Sequence, residues 1–166
     1  MSPLDLNMLV DDAVELTSPR WRDEAAGRGV CVHVRVERGE LLPVLGNAAA
    51  LRQVLMNLVL NAIEAMPEGG SLTLRTWMDG GMVHCTVSDT GVGMSAEVRR
   101  RALEPFHTTK GPRTRGLGLA VAHGIVTRHG GTLTIDSVEG LGTSVLLLLP
   151  AAGSRRPTLT PARTDP

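Results

Sequence analysis

The sequence is poor in aromatic residues: its 166 positions include one phenylalanine, two tryptophans and no tyrosine. A hydrophobic core must therefore be built from leucine, valine, isoleucine, alanine and methionine. Apolar residues make up 42% of the chain, an ordinary share for a soluble globular protein. A chain of this length suggests one domain and can bury about two-thirds of the surface that its unfolded form exposes, so it needs no stabilising disulfides or metals.

The sequence also lacks a net charge, because 17 basic residues balance 17 acidic ones. This balance excludes the basic footprint of a nucleic-acid-binding domain, so we expect no nucleic-acid partner. The longest apolar run is far shorter than the ~20 residues that span a bilayer, and no secretory hydrophobic region opens the chain. We expect a cytosolic protein, or the cytosolic piece of something larger.

Cysteine is scarce as well, since Cys31 and Cys85 are the only two and show no spacing typical of a metal site. Both lie in alternating apolar runs. Cysteines of this kind usually behave as small buried hydrophobes in a reducing compartment. We therefore predict that both thiols lie in the core.

Hydrophobic periodicity and turn residues predict alternating helices and strands. The predicted helices cover residues 4–26 with a break at Ser18–Pro19, 47–66 with Asn47 as N-cap, 95–102 and 117–129. The predicted strands cover 30–36, a short stretch at Val44, 71–77, 82–88, 132–138 and 142–149, and residues 103–115 are irregular. Three strand connections have hairpin length. We therefore predict an α/β two-layer sandwich, with a mixed, mostly antiparallel five-stranded sheet covered on one face by about three helices.

The long predicted helix carries a polar stripe beside its apolar one. Gln53, Asn57, Asn61 and Glu64 recur at spacings of four, four and three, which places them on one helix face. Asparagine is a weak helix former, so the two asparagines indicate either solvent exposure or a neutral amide pair that faces a charged ligand. An amide oxygen can ligate Mg²⁺, and an amide nitrogen can donate to a phosphate oxygen.

An acidic residue ends one predicted strand at a point where an apolar row would continue. Asp89 follows Val83, Cys85 and Val87 on the core-facing side of that strand. A carboxylate in such a place is costly unless it is hydrogen-bonded. Because an ionised carboxylate only accepts hydrogen bonds, Asp89 suits the amine-bearing edge of a ligand.

Two glycines, Gly91 and Gly93, follow this carboxylate and would permit positive φ and the approach of a flat ligand to the backbone. The same segment also matches the glycine fingerprint of dinucleotide-binding folds, a weak signal alone. That fingerprint needs an acidic residue about 20 positions further on. Lys110 and Gly111 stand there instead, which argues against a dinucleotide site.

A long irregular segment follows the short predicted helix and is rich in positive charge. It contains Lys110, Arg113 and Arg115, and Gly116 and Gly118 lead from it into the next helix. Long loops in compact domains are usually lids or binding loops, and the free N–H groups of a helix N-terminus bind anions. The segment is therefore either a phosphate-binding lid or an exposed basic loop.

In chain order, these segments resemble the ATP-binding domain of histidine kinases, a Bergerat fold shared with DNA gyrase and MutL. The matching segments are NLVLNAIEAM (57–66) for the N box, DTGVGM (89–94) for the G1 box, EPFHTTK (104–110) for the F box, GLGL (116–119) for the G2 box and HGGTLTIDSVEGLGTSVLLLLP (129–150) for the closing pattern. The resemblance covers about residues 4–150. Five motifs in order are much more specific than any one of them.

The resemblance implies a role for each matching position. Asn61 is implied to ligate Mg²⁺, and Asp89 to accept a hydrogen bond from the exocyclic amine of adenine with support from Thr143 through water. Lys110 would belong to a mobile ATP lid. The implied ATP-binding set is Asn57, Asn61, Asp89, Gly91, Gly93, Lys110, Arg115, Gly116, Leu117, Gly118 and Thr143.

Asn57 is implied to be the catalytic residue. Gyrase-like ATPases have a glutamate at this place that activates water, whereas an amide cannot act as a general base at neutral pH. The resemblance therefore favours transfer of phosphate to a protein histidine, with Asn57 orienting the acidic partner beside that histidine. Glu64 stands where many relatives have a phosphate-facing lysine, and Arg115 would supply the missing phosphate contact.

The phospho-accepting histidine is expected on another segment, because none of the five histidines is followed by an acidic residue. The expected partners are a histidine-bearing dimerisation hairpin and the receiver domain of a response regulator. We expect the isolated domain to be a monomer, the full-length kinase a homodimer, and the location cytoplasmic, with or without a membrane anchor elsewhere.

The predicted boundaries are 1–28 for a helical lead-in from the hairpin, 29–150 for the ATP-binding domain and 151–166 for a disordered tail or linker. Two alternative functions stay open. One is a degenerate nucleotide-binding or scaffold module without turnover, and the other is a serine kinase of the anti-sigma-factor type.

Overall fold

The computed structural model of the chain describes residues 1–102 and 115–153. Its helices are α1 (Leu6–Leu16), a π-helical segment (Pro19–Glu24) that runs into the short α2 (Ala25–Gly27), α3 (Ala48–Glu64), α4 (Ala96–Arg101) and α5 (Arg115–Arg128). Its strands are β1 (Ser2–Leu4), β2 (Val32–Glu37), β3 (Val44–Gly46), β4 (Gly70–Asp79), β5 (Met82–Asp89), β6 (Thr132–Val138) and β7 (Gly142–Pro150). Within these ranges, no helix is long and apolar enough to cross a membrane.

Five strands form one mixed sheet in the order β2-β4-β5-β7-β6, in which only the β2–β4 pair is parallel. The β4–β5 hairpin turns at Gly80 and Gly81, whose φ values of 58° and 75° suit a two-residue turn of type I′. The β6–β7 hairpin turns over residues 139–141. The mixed, mostly antiparallel five-stranded sheet predicted from the sequence is therefore confirmed.

The core lies between this sheet and the helices on one of its faces. Helix α3 packs against both α1 and α5, and the helices contact the sheet through β5 and β6. The buried residues of α3 form one apolar stripe: Leu51, Val54, Leu55, Leu58, Val59, Ala62 and Ile63. On the sheet, alternate residues such as Val83 and Cys85 of β5 face the same core. This arrangement is the predicted two-layer sandwich.

The N-terminal region differs from the single interrupted helix predicted for residues 4–26. Residues 2–4 form β1, which pairs with β3 in a separate antiparallel two-stranded sheet, so β3 is not part of a hairpin with β2. Helix α1 begins only at Leu6, because the side chain of Asp5 accepts a hydrogen bond from the Asn7 N–H at 2.9 Å and caps the helix there. The π-helical segment opens at Pro19, where the helix was expected to break.

Strand β2 also begins later than predicted, and one thiol lies outside the core. The Val30 N–H donates to the carbonyl of Ala25 at 2.9 Å and so closes the end of α2, which delays the strand to Val32. Cys31 is exposed, because it has the opposite parity to the inward-facing valines, and the prediction of a buried thiol there was wrong. Cys85 is buried, and burial raises its pKa to about 12.

A histidine fixes the end of α5 against the start of α3. The backbone N–H of Asn47 donates to His129 Nε2 at 3.2 Å, and His129 Nδ1 donates to the carbonyl of Ile125 at 2.7 Å. The imidazole therefore accepts through one nitrogen and donates through the other. Since Asn47 also caps α3 by accepting the Ala50 N–H at 2.9 Å, the two helices are held in register.

Candidate functional site

Asp89 is the last residue of β5 and is half-buried. Its Oδ1 accepts the backbone N–H of Gly91 at 2.9 Å and the backbone N–H of Thr143 at 3.3 Å. Burial raises the pKa of this carboxyl, and the hydrogen bonds from Gly91 and Thr143 partly oppose that rise. Both backbone donors converge on one oxygen, while Oδ2 has no partner among the described residues. The carboxylate is thus held in place with a second acceptor atom for a ligand.

Thr143 lies directly opposite Asp89 in the β5–β7 pairing and is buried. Its hydroxyl lies 2.8 Å from the hydroxyl of Ser137 on β6. Ser137 was not singled out by the sequence reasoning, although a signal existed. It follows Leu133 and Ile135 on the inward face of β6, in the same way that Asp89 ends the apolar row of β5.

Both glycines of the G1 box (residues 89–94) are needed because a Cβ would clash with a neighbouring carbonyl, and one of them also has a positive φ. Gly91 does not use the positive φ that glycine permits. It is required because a Cβ there would clash with the carbonyl of Ala65, at the end of α3. Gly93 does have a positive φ, 68°, and a Cβ there would clash with the carbonyl of Val138. The loop is therefore wedged between α3 and the β6–β7 turn.

The polar stripe of α3 faces the first turn of α5. Asn57 Nδ2 donates to the carbonyl of Gly118 at 3.3 Å. Both amide atoms of Asn61 lie 3.7 Å from the place that a Cβ on Gly118 would occupy, so the glycine brings the α5 backbone close to the stripe. The Nδ2 of Asn61 is buried and has no partner among the described residues. Because buried donors are nearly always paired, this donor is suited to an acceptor atom from outside the described residues.

The remaining predicted positions flank this contact. Helix α5 begins at Arg115, two residues earlier than predicted, so that Gly116 and Leu117 lie in its first turn with Gly118. The first N–H groups of a helix have no helical partner and carry a partial positive charge. Lys110 and the F box (residues 104–110) lie outside the described residues.

Two groups of predicted residues are thus assembled, and α3 connects them. Asp89, Thr143 and Gly91 form one group, and Asn57, Asn61 and Gly118 form the other. The link is Ala65: its N–H donates to the Asn61 carbonyl at 3.1 Å, and its carbonyl accepts the Val92 N–H at 2.9 Å. Together the groups can offer acceptors to an amine at one end and donors to an anion at the other.

A cleft of about 500 Å³ lies beside the C-terminal end of α3. Its described lining residues are Arg20, Glu24, Arg28, Ile63, Glu64 and Pro67. Of the polar stripe, only Glu64 reaches it. This cleft is therefore distinct from the site that Asp89 and Asn61 define.

Residues 46–153 match the family of Histidine kinase-, DNA gyrase B-, and HSP90-like ATPases. This match covers well over half of the chain, and the chain belongs to this family. The resemblance to a histidine kinase ATP-binding domain, stated above from the motifs, is therefore confirmed.

The relatives agree with this assignment. Sensor histidine kinase ZraS of Escherichia coli (strain K12) is 36% identical over 157 residues, which cover 94% of this chain and 32% of ZraS. The catalytic domain of histidine kinase ThkA is 28% identical, with a TM-score of 0.76 and coverage of 90% of this chain and 94% of that one. Full-length ShkA, whose structure is a complex with AMPPNP, is 30% identical, with a TM-score of 0.77 and coverage of 94% and 32%. The chain spans about a third of the length of the curated relatives that it matches first.

Proposed function

We propose that this chain is the catalytic, ATP-binding domain of a two-component sensor histidine kinase. It binds Mg-ATP and transfers the γ-phosphate to a histidine on a separate phosphoacceptor domain. The observation that carries the proposal is the half-buried Asp89, which is held through Oδ1 by two backbone N–H groups and presents Oδ2 as an acceptor. An acceptor in this setting suits the exocyclic amine of adenine. The naming of ZraS and ThkA as histidine kinases supports the proposal.

The triphosphate is proposed to lie between the polar stripe of α3 and the first turn of α5. Backbone N–H groups of Gly116, Leu117 and Gly118 are the proposed donors, since a helix N-terminus favours phosphate oxygens. Lys110 and Arg115 are proposed to add positive charge. These two basic residues would neutralise negative charge on the phosphates. In phosphoryl transfer the protein contributes mainly by positioning the reactants and neutralising charge.

Asn61 is the proposed protein ligand of Mg²⁺. Mg²⁺ usually keeps several waters and takes only one or two protein oxygens besides the phosphates of a substrate. A single amide therefore fits, and the described residues contain no cluster of three or more acidic, histidine or cysteine side chains that would compete for the ion. When bound, Mg²⁺ would neutralise part of the phosphate charge. Asn61 would hold the ion through Oδ1, and its buried, unpartnered Nδ2 suits a phosphate oxygen as acceptor beside it.

Asn57 is the proposed catalytic residue, and its proposed role is to orient the acidic partner beside the attacking histidine. Its Nδ2 already donates to the Gly118 carbonyl, so its Oδ1 is the atom left for orienting a partner. Because an amide does not remove a proton from water at neutral pH, Asn57 favours transfer to a histidine over hydrolysis. The proton of the attacking histidine would be taken by an acidic side chain on the phosphoacceptor domain.

The remaining features of the proposal concern the larger protein. The histidine would lie on a dimerisation hairpin, and a response regulator receiver domain would accept the phosphate from it. The isolated domain is proposed to be monomeric and the full-length kinase homodimeric. A cytoplasmic location follows from the need for ATP.

The decisive test supplies a matching histidine-bearing hairpin in trans with γ-labelled ATP. We expect label on the hairpin that is lost in acid and kept in base, as phosphohistidine requires, and no label on a hairpin with that histidine changed to glutamine. ATP binding without any transferred label would identify a module without turnover. Acid-stable label on a serine would identify a serine kinase, and either result would overturn the proposal.

The variant Asn61→Ala is expected to change the affinity for Mg-ATP without lowering the stability of the free domain. We expect the Mg²⁺-dependent part of the ATP affinity to be lost, while the melting temperature of the free domain does not fall, because the change removes a buried donor without a partner. Asn57→Ala is the matched control on the same stripe. It removes a formed hydrogen bond to Gly118 and should lower the free energy of unfolding by about 1 kcal/mol. Calorimetry with and without Mg²⁺, and thermal melts of both variants, make the comparison. Equal losses of affinity with and without Mg²⁺ would contradict the assignment of Asn61.

A further inference from the structure

Ser137 connects three parts of the Asp89 pocket. Its hydroxyl accepts the backbone N–H of Met94 at 2.8 Å and donates to the carbonyl of Gly142 at 3.1 Å. The same oxygen lies 2.8 Å from the hydroxyl oxygen of Thr143. One side chain on β6 therefore contacts the end of the G1 box, the start of β7 and the residue that faces Asp89.

These contacts favour one direction for the hydrogen bond between the two hydroxyl groups. A serine hydroxyl has one proton and two lone pairs. Ser137 gives its proton to the Gly142 carbonyl and one lone pair to the Met94 N–H. The one arrangement that forms all three hydrogen bonds at once has Thr143 donate its proton to the second lone pair of Ser137 across the 2.8 Å contact. With its proton used in this way, the hydroxyl of Thr143 can only accept from any further group.

The consequence is that Asp89 and Thr143 both present acceptors. Asp89 accepts through Oδ2, and the hydroxyl of Thr143 also accepts, directly or through a water. An exocyclic amine has two N–H donors and satisfies such a pair, whereas a keto oxygen at the same ring position meets two acceptors and is repelled.

We infer that Ser137 is a positioning residue that determines base selectivity: by taking the proton of Thr143, it makes the pocket accept 6-amino purines and reject 6-oxo purines. The inference rests on the proposed function, because it concerns the base of the nucleotide that the same pocket binds. Ser137 acts through Thr143 and through the G1 box, since the hydrogen bonds of its hydroxyl go to Met94, Gly142 and Thr143.

The test compares the affinities for ATP and for inosine triphosphate, in which a keto oxygen replaces the 6-amine. In Ser137→Ala, the hydroxyl of Thr143 is released and can turn its proton toward a keto oxygen. We expect the ratio of the ATP affinity to the inosine triphosphate affinity to fall by about threefold to tenfold, the contribution of one neutral hydrogen bond. Ser137→Thr retains the hydroxyl and should restore the ratio of the wild-type chain.

A double-mutant cycle shows whether the effect passes through Thr143. In a Thr143→Val background, adding Ser137→Ala should leave the ratio unchanged, because no hydroxyl proton remains to be redirected. Ser137→Cys fills the same space with a weak donor and acceptor and should lower the ratio in the same direction, so the test does not depend on the folding of the alanine variant.

The competing explanation is that Ser137 serves only to tether the loop at Met94. A tether alone would lower the two affinities by the same factor and leave their ratio unchanged, and that result would overturn the inference while the wild-type chain still binds ATP. A fall in the ratio that persists in the Thr143→Val background would overturn it as well. Absence of ATP binding by the wild-type chain would overturn the proposed function and, with it, this inference.

Discussion

Asp89→Asn is expected to remove most of the affinity of the domain for ATP. The amide oxygen of the new side chain would take over the two backbone donors, the N–H groups of Gly91 and Thr143. The NH₂ group would then replace Oδ2 and face the amine of adenine, donor against donor. Leaving such buried donors unpaired costs about 1–3 kcal/mol, which corresponds to an increase in Kd of about 5- to 150-fold. Isothermal titration calorimetry with Mg-ATP measures this change in Kd.

The loss should occur without unfolding, which makes the result specific. Burial raises the pKa of Asp89, so the folded domain disfavours its ionised form, and above that raised pKa the charge lowers stability. A neutral amide that keeps both backbone hydrogen bonds removes this penalty, and the melting temperature without ligand should stay the same or rise. Asp136→Asn is the control, because it makes the same change on a side chain that is 89% exposed. Similar ATP affinities in the wild-type chain and both variants would refute the pocket.

Parity along the strands explains why the centre of this site could be predicted from the sequence. Successive side chains of a strand point to opposite faces. Asp89 therefore lies on the same inward face as Val83, Cys85 and Val87, and this placement depends only on the local sequence. The same rule accounts for Thr143, which lies on the inward face of β7. Ser137 obeys the rule too and lies within the closing pattern (129–150), but the resemblance implies no role for it, and serine is common near turns. Its function became visible only when the hydrogen bonds across two strands were known.

Features that depend on contacts between distant segments were not predictable from local patterns. The three-residue strand β1 is stable because it pairs with β3, some 40 positions away, and no periodicity marks so short a segment. Gly91 was singled out for the positive φ that glycine permits and for the approach of a ligand, yet glycine is required there because of the carbonyl of Ala65. In both cases the deciding atom belongs to another element. The hairpins, by contrast, were predictable, because their glycines and alternating residues are adjacent in the chain.

Gly142→Ala is expected to cause a large loss of stability, because two separate penalties coincide at this position. Gly142 has a φ of 129°, in a region that residues with a side chain rarely adopt. A Cβ there would also clash with the carbonyl of Asp89 and lie 3.1 Å from the Cα of Thr90. Backbone strain of about 1–3 kcal/mol and overpacking of a similar size add to about 2–6 kcal/mol. For a chain of this size the melting temperature should fall by about 5–20 °C. Thermal unfolding monitored by circular dichroism measures this fall in melting temperature.

The neighbouring turn glycine provides the control that separates strain from overpacking. Gly140 also has a positive φ, 83°, but nothing lies within 4 Å of a Cβ built there. Gly140→Ala should therefore bear the backbone cost alone, about 1–2 kcal/mol, and melt only about 2–6 °C below the wild-type chain. Because the clash in Gly142→Ala displaces the backbone of Asp89, that variant should also lose ATP affinity at temperatures where it is folded, and Gly140→Ala should not. If both variants melted together and bound ATP equally, the close approach of β7 to Asp89 would not be what requires glycine at position 142.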